Sequence, residues 1–254
     1  MRALVRPTSS RLAEGEITHI DRSDRVDIDL ARIQWRGYVD VLVANGFELV
    51  VVPQAEEHPD SVFIEDAVVV FGDLAVVTRP GTESRAGETA PIPAIVEALG
   101  LDVARIEAPG TLDGGDVLKV GSTVYVGRGG RTNGEGVAAL RSILTPRGWT
   151  VVGVPMTKAL HLKSAITALP DGTVIGYEPF VDEPRLFPRF LAVPEPEGAA
   201  VVVLSPTTVL MSSAAPATTA LIRDLGYEVV TVDVTEFEKL EGCVTCLSVR
   251  VRSA

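Results

Sequence analysis

The 254-residue sequence predicts an α/β protein built from repeated modules, set either in a five-bladed ring around an axis or in a plain mixed α/β sandwich. Three observations predict it. An apolar strand, a short polar turn and a second apolar strand recur four times. Stretches with helical spacing of apolar residues lie between these recurrences. Each such helix leads into one further apolar strand. The repeat length, roughly 35 to 50 residues, is that of one supersecondary unit used several times.

Taken in order, the chain opens on a short strand around Ala3. Residues 24–45 carry Val26, Leu30, Ile33, Tyr38 and Leu42 at near-helical spacing and stop at Asn45-Gly46, a helix-ending pair. An apolar strand follows at 47–52. The first hairpin spans 67–71 and 74–78 around Gly72-Asp73, and the second spans 117–120 and 123–127 around Gly121-Ser122. Such turns supply the residues that tight hairpins require. A helix over 133–145 leads into a strand at 150–152. The third hairpin joins 165–169 to 173–177 through Pro170-Asp171-Gly172, and the fourth joins 201–204 to 207–211 through Ser205-Pro206. A helix over 216–225 leads into the strand 227–230, and a last strand is read at 247–251. Pairing that strand with the one at Ala3 would close a fifth unit.

Composition excludes several classes. Hydrophobic residues make up 46% and charged residues 22%, enough apolar side chain for an ordinary globular core. A net charge of −11 and a pI near 4.8 repel phosphate backbones, so nucleic acid is not an expected partner. The same field favours a small cation. No run of about 18 apolar residues is present to cross a membrane, and the N-terminus has no signal-peptide pattern. Two cysteines make no disulfide framework, so a reducing, cytoplasmic setting is expected.

Chemistry-bearing residues are few. Cys243 and Cys246 form a Cys-x-x-Cys pair, but the following alternation reads as a strand, which would set the two sulfurs about 10 Å apart on opposite faces, beyond disulfide reach. A zinc site lacks a second pair. Redox and metal readings are therefore set aside, leaving Cys246, where a loop enters a strand, as either an inert buried thiol or a nucleophile. The histidines are His19, His58 and His161, the natural partners for such a thiol. Carboxylates gather at Asp60, Glu65 and Asp66 before the first hairpin and at Asp113 and Asp116 before the second. They read either as solvated turn residues or as a grip for a planar guanidinium, which carboxylates bind in bidentate fashion.

Six stretches in one order resemble the dimethylarginine dimethylaminohydrolase family of the guanidino-group-modifying (pentein) superfamily: 59–66, 84–89, 111–116, 131–133, 160–164 and 245–248. The resemblance covers nearly the whole chain. It implies a five-bladed α/β propeller with its site in the central channel, and one catalytic domain over residues 1–254. It also implies hydrolysis of Nω-methylated arginine to citrulline and an amine, with neither metal nor cofactor. By the same resemblance Cys246 is the nucleophile, His161 the acid/base and Asp113 the group orienting it. Glu65 and Asp66 hold the guanidinium, Asp60 the α-amino group, and Arg85 and Arg131 the α-carboxylate. A flap residue, Ile17 or Glu16, stands where a leucine is usual, and Gln34-Trp35 where Gln-His is usual. Oligomeric state stays open, a homodimer included. From electrostatics, Asp60, Glu65 and Asp66 should raise the Cys246 thiol pKa. Two rival readings are a deiminase of arginine or another small guanidino compound, although such chains are usually longer, and a non-catalytic binding protein of the same fold.

Overall fold

The structure, a computed structural model, describes residues 1–20 and 25–251. The elements run β1 (Arg2–Val5), α1 (Ile28–Ala44) and β2 (Glu48–Val51), then β3 (Val68–Phe71), β4 (Leu74–Val77), α2 (Ile92–Ala98) and β5 (Asp102–Arg105). Next come β6 (Val117–Val120), β7 (Thr123–Arg128), α3 (Gly134–Leu144) and β8 (Thr150–Pro155). The short α4 (Leu162–Ala165) precedes β9 (Ile166–Ala168), β10 (Val174–Gly176) and β11 (Phe190–Ala192). The chain ends with β12 (Val201–Val203), β13 (Thr208–Ser212), α5 (Pro216–Asp224), β14 (Glu228–Val232), the short α6 (Thr235–Glu238) and β15 (Val249–Val251).

These strands form five separate three-stranded sheets, which rules out the sandwich. Four sheets follow one plan, an antiparallel hairpin whose second strand then pairs in parallel with the strand that follows. The fifth is assembled from the two ends: β1 lies between β15, antiparallel, and β2, parallel, with Arg2 opposite Val251. Positive φ at Gly72 (61°) and Gly121 (57°) allows the two-residue turns of the first two hairpins.

The core is divided accordingly. Val68 and Val70 of β3 pack with Leu4, Val249 and Val251 of the closing sheet, whereas Val69 and Phe71 pack with Val117, Val124 and Val126 of the next. Strand alternation thus fills two wedges at once, and all four residues are buried. The remaining clusters occupy the β6–β8/β9–β11, β9–β11/β12–β14 and β12–β14/closing wedges. Apolar packing between blades leaves the axis to polar groups.

Some elements differ from the sequence expectation. Helix α1 begins at Ile28 because the Asp27 side chain caps the Asp29 and Leu30 amides; residue 24, where it was expected to begin, lies outside the described residues. Helix α2 and strands β5 and β11 are too short to show a period. Between β10 and β11, Pro179, Pro184 and Pro188 break the helical pattern, and two single 3-10 turns stand in its place. Strand β15 starts only at Val249, because residues 244–247 form a turn.

Candidate active site

Glu65, Asp66, Asp113, His161 and Cys246 come from one repeated position, the turn that enters the first strand of a blade's hairpin. The 3-10 turn Ile64–Ala67 carries Glu65 and Asp66 into β3, and Asp113 precedes the turn Gly114–Asp116 that enters β6. His161 is the N-cap residue of α4 ahead of β9, and the turn containing Cys243 and Cys246 leads to β15. Glycine lets these turns touch. A Cβ on Gly114 would lie 2.0 Å from the Glu65 carbonyl oxygen, and one on Gly115 would lie 2.7 Å from both Asp66 Oδ1 and His161 Nδ1.

His161 is buried between two acids, with Nε2 3.2 Å from Asp113 Oδ2 and Nδ1 3.8 Å from Asp66 Oδ1. Burial alone would lower its pKa, but Asp66, the Asp113 hydrogen bond and Asp116 together outweigh it and raise the imidazole to about 9. Asp66 accepts from Arg85 Nη1 at 2.6 Å and from the Gly115 amide at 2.8 Å. Burial opposes its ionisation, yet His161 and Arg85 hold it down at about 2. Asp116 accepts from the Thr132 hydroxyl at 2.6 Å and the Leu162 amide at 3.0 Å, and burial pushes it up to about 6.

Arg85 is also bonded to Glu88 through Nε (2.9 Å) and Nη2 (2.8 Å) and to the carbonyls of Asp60 and Phe63. Arg131 Nη2 lies 3.0 Å from Glu16 Oε2, while Glu16 Oε1 accepts from the Ser84 hydroxyl and the Glu16 amide donates to Asp60 Oδ2 at 3.1 Å. The flap that carries Glu16 is tied down by Glu241, which accepts from the Thr18 and His19 amides. Asp60, Asp66, Arg85, Arg131, His161 and Cys246, with Glu16 above, line one small cavity of ≈ 20 Å³. That space holds about one water molecule, so a larger ligand requires the flap to move.

The turn at Cys243 folds back on itself: the Cys246 amide donates to the Cys243 carbonyl at 3.1 Å and the two sulfurs lie 3.4 Å apart. This corrects the expectation of an extended segment with distant sulfurs. The thiol of Cys246 is raised well above its usual value, first by the hydrogen bond with Cys243, then by burial, then by Cys243, Glu65 and Asp66. The direction agrees with the expectation from the acids, but the neighbouring sulfur is the larger cause.

The chain matches no family model. The dimethylarginine dimethylaminohydrolase of Streptomyces coelicolor is 59% identical over 251 residues, spanning 99% of this chain and 97% of that protein. The chain belongs to the dimethylarginine dimethylaminohydrolase family. The Pseudomonas aeruginosa member is 38% identical over 221 residues, 85% of this chain and 87% of that protein. Two solved structures of the family cover 98% of this chain and 98% of their own. One is an adduct with S-methyl-L-thiocitrulline (TM-score 0.92, 33% identity) and the other a P. aeruginosa variant complexed with citrulline (TM-score 0.91, 34% identity). The N-terminal domain of the arginine dihydrolase ArgZ shares the fold (TM-score 0.89, 22% identity).

Within this dimethylarginine dimethylaminohydrolase fold, two sequence expectations need correction. Glu65 does not face the small cavity. Its carboxylate is held by Lys163 Nζ at 2.6 Å and the Thr245 hydroxyl at 2.8 Å, and it lines a second cavity of ≈ 490 Å³ together with Lys119, Thr167 and Arg250. Ile17 packs on the apolar cluster around Leu12 and Phe63, so the flap residue over the cavity is Glu16. Three participants went unread: Lys163, Glu88 and the contact between Cys243 and Cys246. Glu88 was legible as the i+3 partner of Arg85 in a helical turn. Among the described residues one grouping, Asp66, Asp113 and His161, has donor atoms within 4.8 Å of one another. Those atoms are engaged with one another, Arg85 and Gly115, which does not fit an open metal site.

Proposed function

We propose that the chain hydrolyses Nω-methylated arginine to citrulline and the corresponding amine as one catalytic unit in the cytoplasm, with Cys246 as nucleophile and His161 as acid/base. The single observation carrying this is that Cys246 and His161 line the same cavity as the acids Asp60 and Asp66. Asp66, ionised even when buried, pairs with the planar cation, and Asp113 holds the imidazole. Asp60 receives the α-amino group, and Arg131 receives the α-carboxylate once Glu16 withdraws, whereas Arg85, expected beside it, stays engaged by Glu88 and Asp66.

At neutral pH the resting pair is a neutral thiol and an imidazolium, since both groups are raised. A bound guanidinium offsets the acids that disfavour the thiolate, so substrate binding promotes loss of the Cys246 proton to solvent. The thiolate attacks the guanidinium carbon, forming a C–S bond and a tetrahedral adduct. The adduct collapses as the C–N bond breaks and His161 donates its proton to the departing amine. The neutral imidazole then takes a proton from water, whose oxygen attacks the thiouronium carbon. The adduct's hydroxyl proton is lost as the C=O bond forms and the C–S bond breaks; the departing Cys246 thiolate takes a proton back, and citrulline leaves.

The test is a citrulline assay of the wild type and Cys246→Ser on dimethyl-, monomethyl- and unmethylated arginine. Methylated substrates are expected to react fastest, and Cys246→Ser to lose turnover by several orders of magnitude while keeping its circular dichroism. Equal turnover in the serine variant excludes the proposed nucleophile, and preference for unmethylated arginine favours a deiminase.

A further inference from the structure

The chain contains two cysteines, and the fold puts them in contact although the proposed hydrolysis needs only one. The hydrogen bond from the Cys246 amide to the Cys243 carbonyl, at 3.1 Å, defines a four-residue turn. Such a turn holds its first and fourth Cα atoms within about 7 Å, and a disulfide bridges Cα atoms about 4.4–6.8 Å apart. The sulfurs already lie 3.4 Å from each other. Bonding therefore requires closing the last stretch between two side chains, with no rearrangement of the backbone. Cys246 lines the cavity, and Cys243 is only half-buried, so a small oxidant reaches the pair.

Resting on the reading of Cys246 as nucleophile, we propose that Cys243 and Cys246 form an oxidative modification site, at which hydrogen peroxide produces an intramolecular disulfide that shuts the enzyme off reversibly. The chemistry balances. One sulfur, as thiolate, attacks a peroxide oxygen; the O–O bond breaks, hydroxide leaves, and the sulfur, oxidised by two electrons, becomes a sulfenic acid. The second thiol loses its proton and attacks that sulfur. The S–S bond forms as the S–O bond breaks, and the hydroxide and protons leave as water. Two thiols and one peroxide thus give one disulfide and two waters. The short hydrogen bond between the sulfurs favours a thiolate on one of them beside a thiol on the other, the combination both steps require. Capture by the neighbouring thiol competes with further oxidation of the sulfenic acid, which is irreversible beyond the sulfinic stage.

The experiment treats the full chain with a modest excess of peroxide, quenches it, and follows citrulline release and intact mass, with and without dithiothreitol. The wild type is expected to lose nearly all activity and about 2 Da, and to regain both with dithiothreitol. Alkylation in denaturant followed by trypsin should leave the 240–250 peptide, which holds both cysteines, unalkylated before reduction and doubly alkylated after it. In Cys243→Ala, measured against its own untreated activity, the loss of about 2 Da and the unalkylated 240–250 peptide should vanish, and Cys246 should instead gain oxygen, one atom as a sulfenic acid that dithiothreitol still reduces and two or more irreversibly; Cys243→Ser serves equally if alanine disturbs the packing. A gain of oxygen by the wild type with no lighter species, or an intramolecular species lighter by about 2 Da in the Cys243 variants as well, overturns the proposal. Disulfide formation without loss of activity overturns the shut-off and, separately, the reading of Cys246 as nucleophile; Cys246→Ser tests that reading independently.

Discussion

His161 shows how much two carboxylates do for one ring. Its pKa of about 9, against a usual value near 6.5, means that its protonated form is stabilised by the fold. The sign follows from linkage: this stability is fully present below the usual imidazole pKa and is lost as pH rises through about 9, an effect of the order of 3 kcal/mol. Asp113→Asn removes one raising group, so the alkaline fall in urea midpoint and in kcat should both begin at lower pH. An unchanged alkaline limb in that variant would show that Asp113 does not tune the ring. Cys246 is raised as well, by a neighbouring sulfur, burial and acids, so the part of the thiolate absorbance that Cys246→Ser removes should grow only under alkaline conditions, and at lower pH with a guanidinium ligand bound. A free-enzyme titration below neutrality contradicts it. Glu16 acts on the substrate side. Its carboxylate occupies Arg131 and Ser84 at the mouth of the cavity, so the incoming α-carboxylate must displace it. Glu16→Gln keeps the size and weakens the competing ion pair; KM for dimethylarginine should fall several-fold with little change in kcat. A higher KM would mean that Glu16 instead helps to hold the substrate.

Elements reach the site through their ends, and Asn133 is the clearest case. Its side-chain oxygen caps α3 through the Gly136 amide (2.8 Å) and also accepts from the Thr111 amide (2.9 Å), while its nitrogen donates to the Pro109 carbonyl (2.9 Å). One residue therefore starts a helix and fixes the loop that carries Asp113. Asn133→Ala should cost about 1–2 kcal/mol in urea denaturation, as caps and buried hydrogen bonds do, and should lower kcat as well because the loop is loosened. Loss of stability with intact kcat would confine Asn133 to capping. The helix that Asn133 caps was legible in the sequence, as were the four hairpins, because apolar period and turn chemistry are local signals. Helix α2 and strands β5 and β11 were not, being one or two turns or a few half-buried residues long. The six ordered stretches name most of the residues that the structure gathers around the small cavity, but not their pairings. The direction of Glu65 is decided by Lys163, about a hundred positions away, and the nearness of Cys243 to Cys246 by a turn that interrupts what reads as a strand.

At the scale of the whole chain, the ring closes by pairing its two ends, β1 with β15, and turns from four blades spread over almost the full length meet at the axis. Apolar side chains are spent between blades, so the interior at the axis can hold Asp66, Arg85, Asp113 and His161, groups that an undivided hydrophobic core would not tolerate unpaired. Around this sits a chain with net charge −11. A methylated arginine carries one net positive charge, so the field raises its concentration near the surface and strengthens its equilibrium binding as well as its encounter rate. Salt screens exposed charges over about 10 Å at about 0.1 M, but it screens a cation enclosed among buried acids far less. Raising ionic strength from about 0.01 M to about 0.5 M should therefore lower kcat/KM several-fold while leaving kcat nearly constant. Citrulline, neutral at the reacting end and without net charge, supplies the control: its inhibition constant should stay flat over the same series. If the substrate's kcat/KM is equally flat, the acidic surface serves solubility and plays no part in gathering the cation. If kcat falls along with it, salt is reaching the buried acids, and the closed flap over Asp60 and Asp66 does not seal them as the 3.1 Å contact of the Glu16 amide with Asp60 implies.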